Sequence, residues 1–120
     1  MKLVGVAGEN LVPGNLVYLK SDGKFWKTDA NAEATTKGLV ALPIGTIDAD
    51  ATGKFLVIGT MRDDTWAWTV GAPLYISETA GELTETAPSD VGDFVRIVGN
   101  GGVTADYIYF NGMNWDWGEI

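Results

Sequence analysis

The chain has 120 residues, with 16 acidic and 8 basic side chains for a formal net charge of −8, and it contains no His and no Cys. That inventory excludes Ser-His and Cys-His nucleophilic catalysis, imidazole or thiolate metal centres and disulfides, and the acidic balance disfavours nucleic acid or an anionic membrane as a partner. With 46% apolar and 20% charged residues at an ordinary domain length, one folded domain over residues 1–120 is expected.

Residues 1–13 read as an N-terminal arm or strand. The apolar stretch Met1 to Gly8 meets Glu9-Asn10 at once and is too short for the core of a signal peptide, so the protein is expected in the cytoplasm or in something larger assembled there. Leu16–Lys20 and Lys24–Lys27 flank Ser21-Asp22-Gly23, whose Asp-Gly pair signals a hairpin because Gly tolerates positive φ. Asp29-Ala30-Asn31-Ala32-Glu33-Ala34 predicts one helical turn, capped by Asp29 and ended by Gly38, too short to found a helix layer. Further strands are predicted at Gly38–Leu42, Lys54–Met61, Thr65–Thr69, Leu74–Ser77, Phe94–Val98 and Tyr107–Phe110. Residues 111–120 form a polar, Gly-rich tail that is expected to dock, on a neighbour in preference to its own body. Short β-branched and aromatic runs between Gly, Pro, Asn and Asp, without helical periodicity, predict an all-β fold, a small β-barrel or sandwich of short antiparallel strands.

An internal echo refines this expectation. Leu16–Thr28 can be laid on Pro73–Thr86, sharing a Tyr, an aliphatic residue after it, a turn Gly, an apolar residue two beyond and a Thr. Each copy leads through an Ala-containing loop to an apolar strand, Gly38–Leu42 in one and Phe94–Val98 in the other. Two related half-barrel units would close on each other and remove exposed sheet edges. The alternative is that hairpins of all-β proteins simply look alike.

No constellation reads as an active site. Trp66-Ala67-Trp68 and Trp115-Asp116-Trp117 place indoles two residues apart, hence on one side of a strand, as core, subunit contact or ligand platform. Asp48-Ala49-Asp50-Ala51-Thr52-Gly53 imitates the start of a calcium loop, but the twelfth position is Gly59 instead of a bidentate carboxylate, so a solvated turn is expected. Arg62-Asp63-Asp64 offers adjacent carboxylates, which on a strand point to opposite faces and suit a local Arg pair better than a glycosidase pair. Gly99-Asn100-Gly101-Gly102 lacks the Lys and the helix of a phosphate loop. No catalytic residue, cofactor or metal is expected.

The order of segments carries a resemblance. Gly14-Asn15-Leu16-Val17-Tyr18-Leu19-Lys20-Ser21-Asp22-Gly23-Lys24, then Ala32-Glu33-Ala34-Thr35-Thr36-Lys37-Gly38-Leu39-Val40, then Val70-Gly71-Ala72-Pro73-Leu74-Tyr75-Ile76-Ser77 and Thr84-Glu85-Thr86-Ala87-Pro88-Ser89, ending Tyr107-Ile108-Tyr109-Phe110-Asn111, resembles small bacteriophage capsid decoration or head-fibre proteins, a module also found in phage tail and fibre proteins. The resemblance runs from Gly14 to Trp117. It implies a non-enzymatic virion structural protein, a homotrimer on the outer surface of the capsid, with the major capsid protein as partner and with neither nucleic acid nor membrane bound. The interaction candidates are Lys2, Val4 and Val6 in the N-terminal segment, together with Trp66, Trp68, Trp115 and Trp117. A carbohydrate- or receptor-binding module of a tail fibre or secreted protein, using the Trp pairs as a sugar platform, is the alternative.

Overall fold

A computed structural model describes residues 1–30 and 38–113, and the backbone of 117–119. Among the described residues eleven strands run in chain order: β1 (Lys2–Ala7), β2 (Val17–Leu19), β3 (Lys24–Lys27), β4 (Val40–Pro43), β5 (Thr52–Leu56), β6 (Ile58–Arg62), β7 (Pro73–Ile76), β8 (Leu83–Thr84), β9 (Phe94–Gly101), β10 (Tyr107–Asn111) and β11 (Trp117–Glu119). The fold is all-β. Among the described residues no helix is long and apolar enough to cross a membrane.

Strands β1 to β5 close into a barrel in the order β1-β3-β2-β4-β5, with β5 returning to β1. Every joint is antiparallel except β1 with β3, where Val6 stands opposite Lys24 and Ala7 opposite Phe25. The later strands form an open, curled sheet in the order β6-β10-β9-β7-β8, and β11 adds to β9. Advancing each barrel strand by five places reproduces this second order, with one joint missing: β6 and β8, the counterparts of β1 and β3, do not pair. The two related units expected from the echo are therefore present, one as a closed barrel and the other as its unclosed copy. Their hairpin turns carry Gly23 and Gly81 at φ +82° and +76°, a conformation that side chains disfavour.

Strand alternation decides where each core lies. Ala7, Val17, Phe25, Ala41 and Phe55 point into the barrel, where the Phe25 and Phe55 rings stack at 4.2 Å between centroids. Their neighbours Tyr18, Val40, Leu42 and Leu56 point outward and meet Leu74, Ile76, Leu83, Val98, Ile108 and Phe110 of the second sheet in one shared core. Consequently β4 is buried on both faces. Main-chain bonds reinforce this contact: Leu16 N–H donates to Gly81 O and Gly81 N–H to Thr28 O, each at 2.8 Å. From β9, the buried Arg96 donates to Gly38 O at 2.7 Å and Gly112 O at 3.0 Å, tying the ends of the neighbouring strands. Burial lowers its pKa to about 10, which leaves the guanidinium charged at neutral pH.

Several expected elements come out differently. The strand predicted at Lys54–Met61 is two strands, because the chain leaves the barrel and enters the second sheet at Val57, whose N–H donates to Met1 O and whose carbonyl accepts from Gly112 N–H. The run Phe55-Leu56-Val57-Ile58 hides that break, since an apolar residue suits the core of either body. Thr65–Thr69 is not a strand. Asp63 accepts hydrogen bonds from both the N–H and the hydroxyl of Thr65, at 2.9 and 2.7 Å, and this side-chain turn replaces ladder pairing. The helical turn expected at residues 29–34 falls largely on 31–37, outside the described residues. In the C-terminal segment, Trp117, Gly118 and Glu119 pair with Arg96, Val95 and Phe94 of the chain's own β9. The eight-residue β9 extends beyond the three residues that β10 pairs, and β11 lies along its Phe94 to Arg96 portion.

Candidate functional site

Where β6 and β8 fail to meet, a cleft of about 330 Å³ opens. Its wall comprises Asp63, Thr65, Trp66 and Trp68 from the segment after β6, Gly81 to Leu83 at the start of β8, and Pro13 to Asn15 from the barrel. The segment is held point by point: Asp63 N–H donates to Asp106 O, Trp68 N–H to Ala105 O, and Thr69 N–H and Oγ1 to the Glu85 carboxylate. Trp66 and Trp68 lie on one side as anticipated, their rings 6.1 Å apart and tilted by 57°, although turns and not a strand place them there. Both are half-buried and pack on the shared core. The Trp68 indole N–H is buried with no acceptor, leaving a donor unsatisfied beside the cleft.

Asp63 is held below the usual carboxylate range, first by the Thr65 hydroxyl and then by the Thr65 N–H. A proton-donating catalytic acid requires the opposite shift. Arg62 pairs with Asp64 at 2.8 Å and Asp106 at 3.2 Å, the local ion pair expected for this sequence. The Thr104 hydroxyl bond is the main cause that lowers Asp106. Asp48, Ala49 and Asp50 form an exposed turn in which Asp50, at φ +66°, accepts from Lys24 Nζ at 2.7 Å.

A second feature occupies the outer face of the barrel. On β1, Leu3 and Ala7 pack inward, so Lys2, Val4 and Val6 face out. Val4 is 67% exposed and stands opposite Lys54, while Val6 stands opposite Thr52 on one side and Lys24 on the other. Three of the protein's few cations, Lys2, Lys24 and Lys54, thus border an apolar strip on an otherwise acidic chain. Lys2 also lines a second depression of about 250 Å³ with Ile44, Met61 and Asp63. Sequence reasoning singled out β1 but not Lys54, which reaches the strip only through the β1–β5 register.

The structure brings Lys2, Val4 and Val6 together on one face and Trp66 with Trp68 in the cleft. Trp115 lies outside the described residues, and Trp117 is placed by its backbone alone. Comparison with protein-family models, curated proteins and solved structures finds no match.

Proposed function

We propose that the chain is a non-enzymatic structural module of a phage particle, a decoration protein that binds the outer surface of an assembled capsid as a homotrimer. The observation that carries this reading is the β1–β5 strip, an exposed Val4 bordered by Lys2 and Lys54 on the rigid wall of a closed barrel. Such a strip suits an acidic, partly apolar protein surface, with the apolar centre supplying contact and the lysine rim supplying orientation. Symmetric copies engaging several capsid subunits would add avidity. The test mixes purified protein with undecorated capsids and measures saturable binding, with light scattering for the oligomer. Val4→Asp and Lys54→Glu are expected to abolish binding while leaving the fold intact. Wild-type protein that neither binds nor forms trimers would overturn the proposal.

The cleft favours a second reading as a carbohydrate-binding module. Two adjoining indoles, the unsatisfied Trp68 N–H and the Asp63 carboxylate are the kind of apolar platform with a few polar contacts that a sugar ring requires. This reading predicts a glycan-dependent change in Trp fluorescence that Trp66→Ala removes.

A further inference from the structure

Ala30, on the segment that leaves the barrel after β3, bonds to two distant loops at once. Its N–H donates to Ser77 O and its carbonyl accepts from Phe94 N–H, each at 2.9 Å. The residue after Ser77 and the residue before Phe94 are thereby drawn together, and these are Glu78 and Asp93. A turn closed by Asp93 N–H to Asp90 O brings in a third carboxylate. One oxygen from each of Glu78, Asp90 and Asp93 lies within 4.8 Å of the others.

Crowded acids on a surface would by themselves mean little, but Asp93 is only 3% exposed and, although its carboxyl group meets Glu78, its Oδ2 is buried without a hydrogen-bond partner. A carboxylate oxygen removed from water with neither donor nor cation is strongly disfavoured, and adjacent like charges add to the penalty. A hard cation would satisfy it. Ca²⁺ takes six to eight oxygen ligands in irregular geometry and accepts carboxylates from loops, whereas Mg²⁺ demands a near-ideal octahedron. We propose that Glu78, Asp90 and Asp93 form a binding site for a divalent cation of the Ca²⁺ type, which ties the β7–β8 loop to the β8–β9 loop. Through Ser77, Ala30 and Phe94 the same ion braces the open sheet against the segment that leaves the barrel after β3. The proposal is independent of what the β1–β5 strip binds.

The experiment uses the full chain stripped of metal with a chelator, titrated with CaCl₂ and then MgCl₂ by calorimetry, with thermal unfolding in parallel. One Ca²⁺ per chain is expected, with a dissociation constant of about 10⁻⁴–10⁻³ M, as in extracellular calcium modules. The unfolding midpoint rises with Ca²⁺ and less with Mg²⁺. Asp93→Asn and the exposed Asp90→Asn weaken binding by about tenfold or more through loss of ligand charge, and Asp90→Asn keeps the test decisive if Asp93→Asn does not fold. Asp48→Asn with Asp50→Asn, in the turn that imitates a calcium loop, leaves binding unchanged. Absence of saturable binding, or binding indifferent to Asp90→Asn and Glu78→Gln, would overturn the site.

Discussion

The closed barrel and the open sheet share one strand order and differ at one joint. In the barrel, β1 supplies six residues, and Gly8 just beyond them lets the chain lie against Trp26 while its N–H donates to Phe25 O. In the second unit β8 is two residues long, and the chain after β6 turns away at Asp63. A closed barrel covers its own core, with Phe25 and Phe55 stacked inside. The open copy cannot, so it borrows the outer face of β2, β4 and β5 as a lid and leaves a cleft at the missing joint. A repeated topology thus yields one self-sufficient unit and one dependent unit, and surface unlike either arises at the place where they differ.

The largest way to test this contrast is to hollow the self-sufficient unit. Phe55→Ala should cost about 3–5 kcal/mol in chemical denaturation, since a fully buried stacked ring is lost. Leu74→Ala, in the shared core, should cost about 2–5 kcal/mol and shift one cooperative transition. Two separated transitions by fluorescence and circular dichroism would show that the open sheet does not depend on the barrel.

Gly8→Ala addresses the joint itself. A Cβ there would come within 2.2 Å of the Trp26 ring, whose Nε1 donates to Asp22 at 3.1 Å, so the ring must move. The expected loss is about 1–3 kcal/mol, with a change in Trp fluorescence. Unchanged stability would mean that closure does not require this close approach.

A smaller effect concerns pH in a chelating buffer. Glu78 is pushed up to about 7 from an ordinary 4.5, chiefly by its hydrogen bond to Asp93, then by desolvation and the charges of Asp93 and Asp90, against the Ser89 N–H. A raised carboxyl pKa means that the folded state binds the extra proton, so its contribution is full below 4.5 and is lost as pH rises through about 7. The unfolding midpoint should therefore decline across that window, and Glu78→Gln should flatten the decline. Asp22, held down chiefly by the Lys24 N–H, and Asp63 act oppositely, losing their contribution as pH falls below 3.8. Smallest of all, Lys24→Ala removes an exposed ion pair to Asp50 and should leave the midpoint unmoved.

Much of the fold was legible because period-two patterning and turn chemistry are local. The Asp22-Gly23 hairpin, the all-β class and the echo between Leu16–Thr28 and Pro73–Thr86 are carried by neighbouring residues. The pairing of Trp66 with Trp68 was legible too, though the turn that produces it was not, because a β-rich composition outweighs the single Asp63–Thr65 hydrogen-bonded turn that interrupts it.

What the sequence determined by itself is the alternation that sends Val17, Phe25 and Phe55 one way and Tyr18 and Leu56 the other, together with the chemistry that His and Cys would have brought and do not. Tertiary structure alone decided which face became barrel interior and which became interface, since both faces of β4 are apolar. It also decided that Arg96 is buried against carbonyls, that Lys54 borders Val4, and that Glu78 meets Asp90 and Asp93. Except for the local turn that joins Asp90 to Asp93, those contacts join residues distant in the chain, and their partners are set by strand order and register, which a local pattern does not contain.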